Sequence, residues 1–167
     1  APASTRNRAS MASSRWGISS LRLAEAELRV ALRQEIAQGL VTVEQREDRV
    51  FVTVGAGGAF PSGTADLTGE AREIMSRIAF SAMDEASEIT VTGHTDTVPV
   101  GRGSIFQDNW GLAAARASSV VRELQATGLL APERLTALSR GESQPIASNA
   151  TPEGRERNRR IEIEIAY

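Results

Sequence analysis

Residues 89–96, Ile-Thr-Val-Thr-Gly-His-Thr-Asp, and residues 109–124, Asn-Trp-Gly-Leu-Ala-Ala-Ala-Arg-Ala-Ser-Ser-Val-Val-Arg-Glu-Leu, carry the reading that decides the fold of this chain. The first is a short β-branched run, Ile89 to Thr92, closed by Gly93, and reads as a buried strand. The second has helical periodicity. Ala113, Ala117, Val120, Val121 and Leu124 fall on one face, Arg122 points nearly opposite, and Gly128 suits the position just past the helix end. A strand that feeds a helix through a Gly- and Pro-containing loop belongs to an α/β chain. Working toward the C-terminus, Leu135 to Leu138 reads as a further strand and residues 141–158 are rich in turn formers. Ile161, Ile163 and Ile165 then alternate with Glu162 and Glu164 as a last strand. Toward the N-terminus, a helix is expected from about Thr68 to Met83, after a loop punctuated by Gly55, Gly57, Gly58, Pro61 and Gly63. Before it, Val41–Val43 and Arg49–Val54 flank a polar Glu47-Asp48 turn and read as a hairpin. Leu21, Ala24, Leu28, Leu32 and Ile36 recur at three and four residues in an amphipathic helix that Gly39 ends. The expected architecture is an α/β (α+β) two-layer sandwich with a mixed sheet and an N-terminal amphipathic helix, without internal repeats.

At 167 residues the chain has room for one domain with a real core plus a helical extension. The expected division is 1–20 as linker or residues foreign to the domain, 21–39 as the amphipathic linker helix, and 40–167 as the domain. A net charge of −2 provides no general field for polyanions, so no nucleic-acid partner is expected. All nineteen basic residues are Arg, which excludes Schiff-base lysine chemistry and a P-loop lysine. The absence of Cys removes thiol nucleophiles and cysteine metal sites. No apolar run approaches the roughly 20 residues needed to cross a bilayer, and the chain as given is expected to be soluble.

Three patches could carry chemistry. Gly55-Ala56-Gly57-Gly58 lacks the spacing and the Lys-Ser/Thr of a phosphate cradle and reads as a flexible connection. Gly93-His94-Thr95-Asp96-Thr97-Val98-Pro99 resembles the first zinc-ligand motif of M20 amidohydrolases and peptidases. His94, however, is the only His, and nothing nominates a third ligand, so no metal is expected. The third patch joins that loop to the following helix, where Asn109, Leu112 and Arg116 share one border of the buried stripe at the end nearer Asp96. A carboxylate and a guanidinium flanking a cleft suit a zwitterion, Asp96 taking an ammonium and Arg116 a carboxylate. The alternative is that Asp96 and Arg116 pair with each other on the surface, worth about 0–1 kcal/mol.

Gly93-His94-Thr95-Asp96, then Asn109-x-x-Leu112-Ala113-x-x-Arg116-Ala117-x-x-Val120-x-x-x-Leu124, then Gly154-Arg155 and Asn158-Arg159-Arg160-Ile161 resemble the OmpA-like (OmpA/MotB) peptidoglycan-binding family. Phe60 to Leu67 is similar to an earlier block of that family, with Thr64 where Ser is commoner, and Ala113 also replaces a usual Ser. The resemblance runs from about Val41 to Tyr167. It implies a βαβαβ core that binds the diaminopimelate of the peptidoglycan stem peptide without chemistry or cofactor. The site it implies is Asp96 and Arg116, with Thr95, Asn109, Leu112 and Arg159 around them. The long loop from Val98 to Asp108 and the Asn109-Trp110 pair look like the MotB branch, the B subunit of flagellar stators. That branch implies a periplasmic domain of an inner-membrane protein whose transmembrane anchor is absent here, a MotA-like membrane partner, and a homodimer. A Pal-like or secretion-system tether is the rival within binding proteins.

Overall fold

The computed structural model describes residues 21–83 and 87–167; the stretch read as linker, 1–20, lies outside them. The chain is helical over residues 21–31 (α1) and, after a break at Leu32, over Arg33–Ala37 (α2). Gly39 then takes a left-handed φ of 75°. The hairpin forms as read, with β1 (Val41–Arg46) and β2 (Arg49–Gly55) antiparallel about Glu47-Asp48. A single helical turn, α3 (Ala56–Ala59), stands where a flexible Gly-rich connection was expected. α4 (Gly69–Ala82) starts at Thr68, whose hydroxyl accepts the Ala71 N–H, a cap of the ordinary N-terminal kind. β3 (Glu88–His94) runs two residues beyond the expected end. α5 (Asn109–Ala126) and β4 (Leu135–Gly141) follow, the latter entered by a short 3-10 turn at Pro132–Arg134. The turn-rich segment holds a helix that the sequence reading missed, α6 (Pro152–Asn158), and β5 (Arg160–Ala166) closes the fold.

The five strands lie in the order β1-β2-β5-β3-β4, with β3 and β4 parallel and the other pairs antiparallel, which is the expected mixed sheet. Register explains its cohesion. Val50, Ile165 and Ile89 stand side by side across β2, β5 and β3, as do Val52, Ile163 and Val91. All six are fully buried. Because side chains alternate along a strand, one face presents this apolar grid and the other carries Thr53, Glu162, Glu164 and Thr92. Helices cover the apolar face: Ile74, Met75 and Ile78 of α4 and Ala117, Val120 and Leu124 of α5 belong to the same core. The stripe of the N-terminal helix joins it through Leu21, Leu28 and Leu32, while Arg77 of α4 pairs with Glu35 of α2.

Gly93 sets how closely α5 lies on the sheet. A Cβ there would sit 2.2 Å from the Ala113 carbonyl oxygen, so only glycine permits this approach of helix and strand. That contact brings the start of α5 to the end of β3, where the candidate residues cluster.

Candidate functional site

Asp96 leaves the end of β3 buried, at 6% exposure, and is held from several sides. Its Oδ1 accepts the Val98 N–H at 3.0 Å, turning the chain as an aspartate commonly does. Asn109 at the start of α5 donates from Nδ2 to the carbonyls of Asp96 and Val98, at 3.2 and 3.0 Å, and so locks the loop to the helix. Thr95 donates its hydroxyl to the Asp96 carbonyl at 2.8 Å and its N–H to the Gly141 carbonyl at 2.8 Å, which ties the loop to the end of β4. Thr95 and Asn109 therefore hold the backbone that aims the Asp96 carboxylate.

The carboxylate does not pair with Arg116. Its partner is Arg159, whose Nη1 lies 2.5 Å from Asp96 Oδ2. Arg159 sits at the junction of α6 and β5, and a fully buried Asn158 builds that junction. Asn158 Oδ1 accepts the N–H groups of Ile146 and Ala147, and its Nδ2 donates to the Ala147 carbonyl and to Asn149 Oδ1. Gly154 completes the corner, since a Cβ there would meet the Ser148 carbonyl oxygen at 1.8 Å.

Arg116 is buried, at 5% exposure, with its guanidinium over the Phe60 ring, 5.0 Å from the centroid. Its Nε donates to the Thr64 carbonyl at 2.8 Å. Its terminal nitrogens bond to no protein acceptor among the described residues. Burial lowers its pKa first, the like charge of Arg159 lowers it further, and Asp96 partly opposes both. The arrangement is a desolvated cation without a bonded carboxylate, beside a carboxylate already shared.

These groups line one cavity of about 660 Å³. All six residues singled out from the sequence, Thr95, Asp96, Asn109, Leu112, Arg116 and Arg159, lie on its wall. The reading missed the part of the wall formed by Ala56, Gly57, Phe60, Ser62 and Gly63, and the loop residues Val98 to Gly101, Gly103 and Ser104. The Phe60-to-Leu67 block was legible as a motif, but nothing in spacing showed that its Thr64 carbonyl orients Arg116. With Asp96 against Arg116 and Arg159, the cavity carries one more positive than negative charge, which favours a ligand that brings a carboxylate.

His94 is not on the cavity wall. It is buried in β3 with Nε2 at ion-pair distance, 3.4 Å, from Glu162 Oε2, and neither ring nitrogen meets hydrogen-bond geometry with a partner among the described residues. Glu162 also accepts from Arg160 Nε at 2.9 Å. The contact with His94, and then that with Arg160, outweigh partial burial and hold the Glu162 pKa down at about 2. Among the described residues, no group of three or more His, Cys, Asp or Glu side chains is placed to hold a metal ion.

A mixed sheet of this order under two long helices, with the acid just past the end of β3, one guanidine on α5 and the other at the end of α6, defines an OmpA-like class of domain. The chain belongs to the OmpA family, whose pattern it matches over residues 59–159. A MotB-like protein from Desulfovibrio vulgaris superposes with a TM-score of 0.82 at 27% identity, over 91% of this chain and 97% of that one. The cell wall anchor of the T6SS from Pseudomonas aeruginosa gives a TM-score of 0.74 at 36% identity, over 83% and 96% of the two chains. Peptidoglycan-binding protein ArfA of Mycobacterium tuberculosis is 36% identical over 121 residues, 71% of this chain and 35% of the relative. The chain spans between 35% and 51% of the length of the first curated relatives it matches. No helix among the described residues is long and apolar enough to cross a membrane.

Proposed function

We propose that this domain binds peptidoglycan without catalysis and anchors a membrane complex to the cell wall, with the diaminopimelate of the stem peptide in the Asp96 cavity. One observation carries the reading: Arg116 is buried, aimed into the cavity and without a bonded carboxylate, beside a carboxylate that retains accepting capacity. A zwitterionic amino-acid end fits that pair. Its carboxylate takes the free Nη groups of Arg116, and its ammonium shares Asp96 with Arg159 and the Val98 N–H, since each carboxylate oxygen accepts more than one donor. Among the described residues, the titratable groups on the wall are Asp96, Arg116 and Arg159. That set offers no nucleophile activated by a base, which favours holding over turnover. ArfA's name and the secretion-system anchor support wall binding. The MotB-like neighbour supports the finer reading, a periplasmic stator domain with a MotA-like partner reached through a membrane segment, working as a homodimer; a secretion-system tether is the alternative.

Pelleting with purified sacculi tests the reading. Wild type and Arg122→Ala, on the exposed face of α5, should co-sediment equally, and Asp96→Ala and Arg116→Ala should stay in the supernatant with the fold intact. Equal sedimentation of all four would refute the site, and release of soluble muropeptides would refute the absence of chemistry.

A further inference from the structure

Trp110 follows the cavity-lining Asn109 and leaves half of its surface in solvent. A scattered exposed apolar residue needs no explanation, but this one is fixed in place. Gly141 lies against the indole: a Cβ built there would sit 2.9, 3.2 and 3.3 Å from Cδ2, Cε2 and Cε3, three ring atoms at nearly equal range, so the glycine backs one face of the ring. Gly141 also has a φ of +51°, which glycine adopts without strain. Ser139 donates its hydroxyl to the Trp110 carbonyl at 2.9 Å, fastening the first turn of α5 to β4. The Gly141 carbonyl, in turn, accepts the N–H of Thr95 on the cavity wall. The platform is thus braced by the same loop that aims Asp96; exposed polar residues lie nearby in sequence, Gln107 and Asp108 shortly before Trp110 and Arg140 and Glu142 on either side of Gly141.

Resting on the proposed stem-peptide site, we propose that Trp110 is a second subsite, an aromatic platform for a sugar ring of the glycan strand that carries the bound peptide. A single open indole face matches one pyranose face in area and falls far short of the roughly 800 Å² per partner of a protein interface. Exposed polar residues flanking an apolar plate in sequence suit the hydroxyl and acetamido edges of an amino sugar. Reach agrees as well: consecutive Cα atoms are about 3.8 Å apart, which puts Trp110 just outside the cavity, and three extended residues of stem peptide span about 10 Å.

The test compares a meso-diaminopimelate stem tripeptide with the same tripeptide joined to its disaccharide, by calorimetry on wild type and on Trp110→Leu, which keeps an apolar group over Gly141. In wild type the disaccharide should tighten binding about three- to tenfold. In Trp110→Leu that gain should vanish while tripeptide affinity stays the same, and Trp110→Tyr should restore part of it. A gain that persists in Trp110→Leu overturns the platform and leaves the peptide site standing. Tripeptide that fails to bind wild type overturns both. Loss of tripeptide affinity in a folded Trp110→Leu, checked by circular dichroism, also overturns the proposal, because Trp110 would then support the cavity and not the sugar.

Discussion

Replacing Arg116 by Leu separates holding the ligand from holding the fold. Three terms act on stability. Loss of the Nε bond to the Thr64 carbonyl costs about 1 kcal/mol, and loss of the contact over Phe60 costs about 0.5–1 kcal/mol. Against these, the variant no longer buries a cation that lacks a bonded carboxylate and faces the like charge of Arg159, a penalty of several kcal/mol in typical interiors. The balance lies between zero and about 2 kcal/mol of stabilisation, or up to about 6 °C in melting temperature for a domain of this size. Binding moves the opposite way. A charge-assisted contact of about 1.5–3 kcal/mol is lost, which weakens stem-peptide affinity about 10- to 150-fold. Arg116→Lys should also bind poorly, since one ammonium cannot both reach Thr64 and present a fork. Scanning calorimetry and peptide titration on the same preparations read both quantities. A melting temperature that falls by about 6 °C or more, or binding that survives, would refute the argument that Arg116 is kept in a strained state for its ligand.

Gly93→Ala drives a methyl into the Ala113 carbonyl, a backbone atom that cannot swing aside. It should lose about 3 kcal/mol or more, roughly 10 °C by thermal melting, whereas Gly101→Ala, with nothing within 4 Å, should melt like wild type. Glu162 has its folded pKa lowered from 4.5 to about 2, so its contribution is complete above pH 4.5 and disappears as pH falls toward 2. Because 31% of its side chain is exposed, that contribution is put at about 1–2 kcal/mol after screening. Acid unfolding of Glu162→Gln should accordingly be flatter across that window, and identical acid profiles would remove the coupling to His94 and Arg160. Protein purified without chelator should carry less than stoichiometric zinc by elemental analysis, and one bound zinc per chain would reopen the amidohydrolase reading.

Much of this was legible because strands and helices announce themselves by period. The alternations in Val50–Val54 and Ile161–Ile165 fixed both the strands and their buried face, and the Ala113–Leu124 stripe placed Arg116 beside the end of β3. What escaped was decided by contacts distant in sequence. The pairing of Asp96 with Arg159 joins residues 63 positions apart, and spacing along one helix could only suggest Arg116 as the partner. The helix α6 hid among turn formers because seven residues are too few for a stripe, although Thr151-Pro152-Glu153 is a capping residue, an N1 proline and a first-turn acid in order. The Asn109-Trp110 pair is legible as a family marker, but the pose of Trp110 depends on Gly141, which shows nothing in sequence beyond a turn residue.

The N-terminal helix poses the remaining question, because its main stripe is already used. Leu21, Leu28 and Leu32 are buried in the core of their own domain, so a second copy cannot claim them. Deleting the helix at Gly39 would remove three leucines worth about 5–9 kcal/mol as an upper bound, comparable with a whole domain's stability. Such a truncation would report on folding and not on assembly. The outer face is different: Leu23 and Val30 are 61% and 74% exposed, seven residues apart and hence on one line along the helix, with exposed Ala26 between them. If the domain pairs through this helix, that narrow stripe is what it offers. Pairing there leaves the Asp96 cavities free, and two wall grips on one complex would each raise the effective concentration of the other. Sedimentation equilibrium should show weak, concentration-dependent dimerisation that disappears in Leu23→Glu/Val30→Glu while melting temperature is unchanged. A wild type that stays monomeric at millimolar concentration, or a dimer indifferent to both substitutions, would take the helix out of assembly and favour a tether that grips the wall as a single domain.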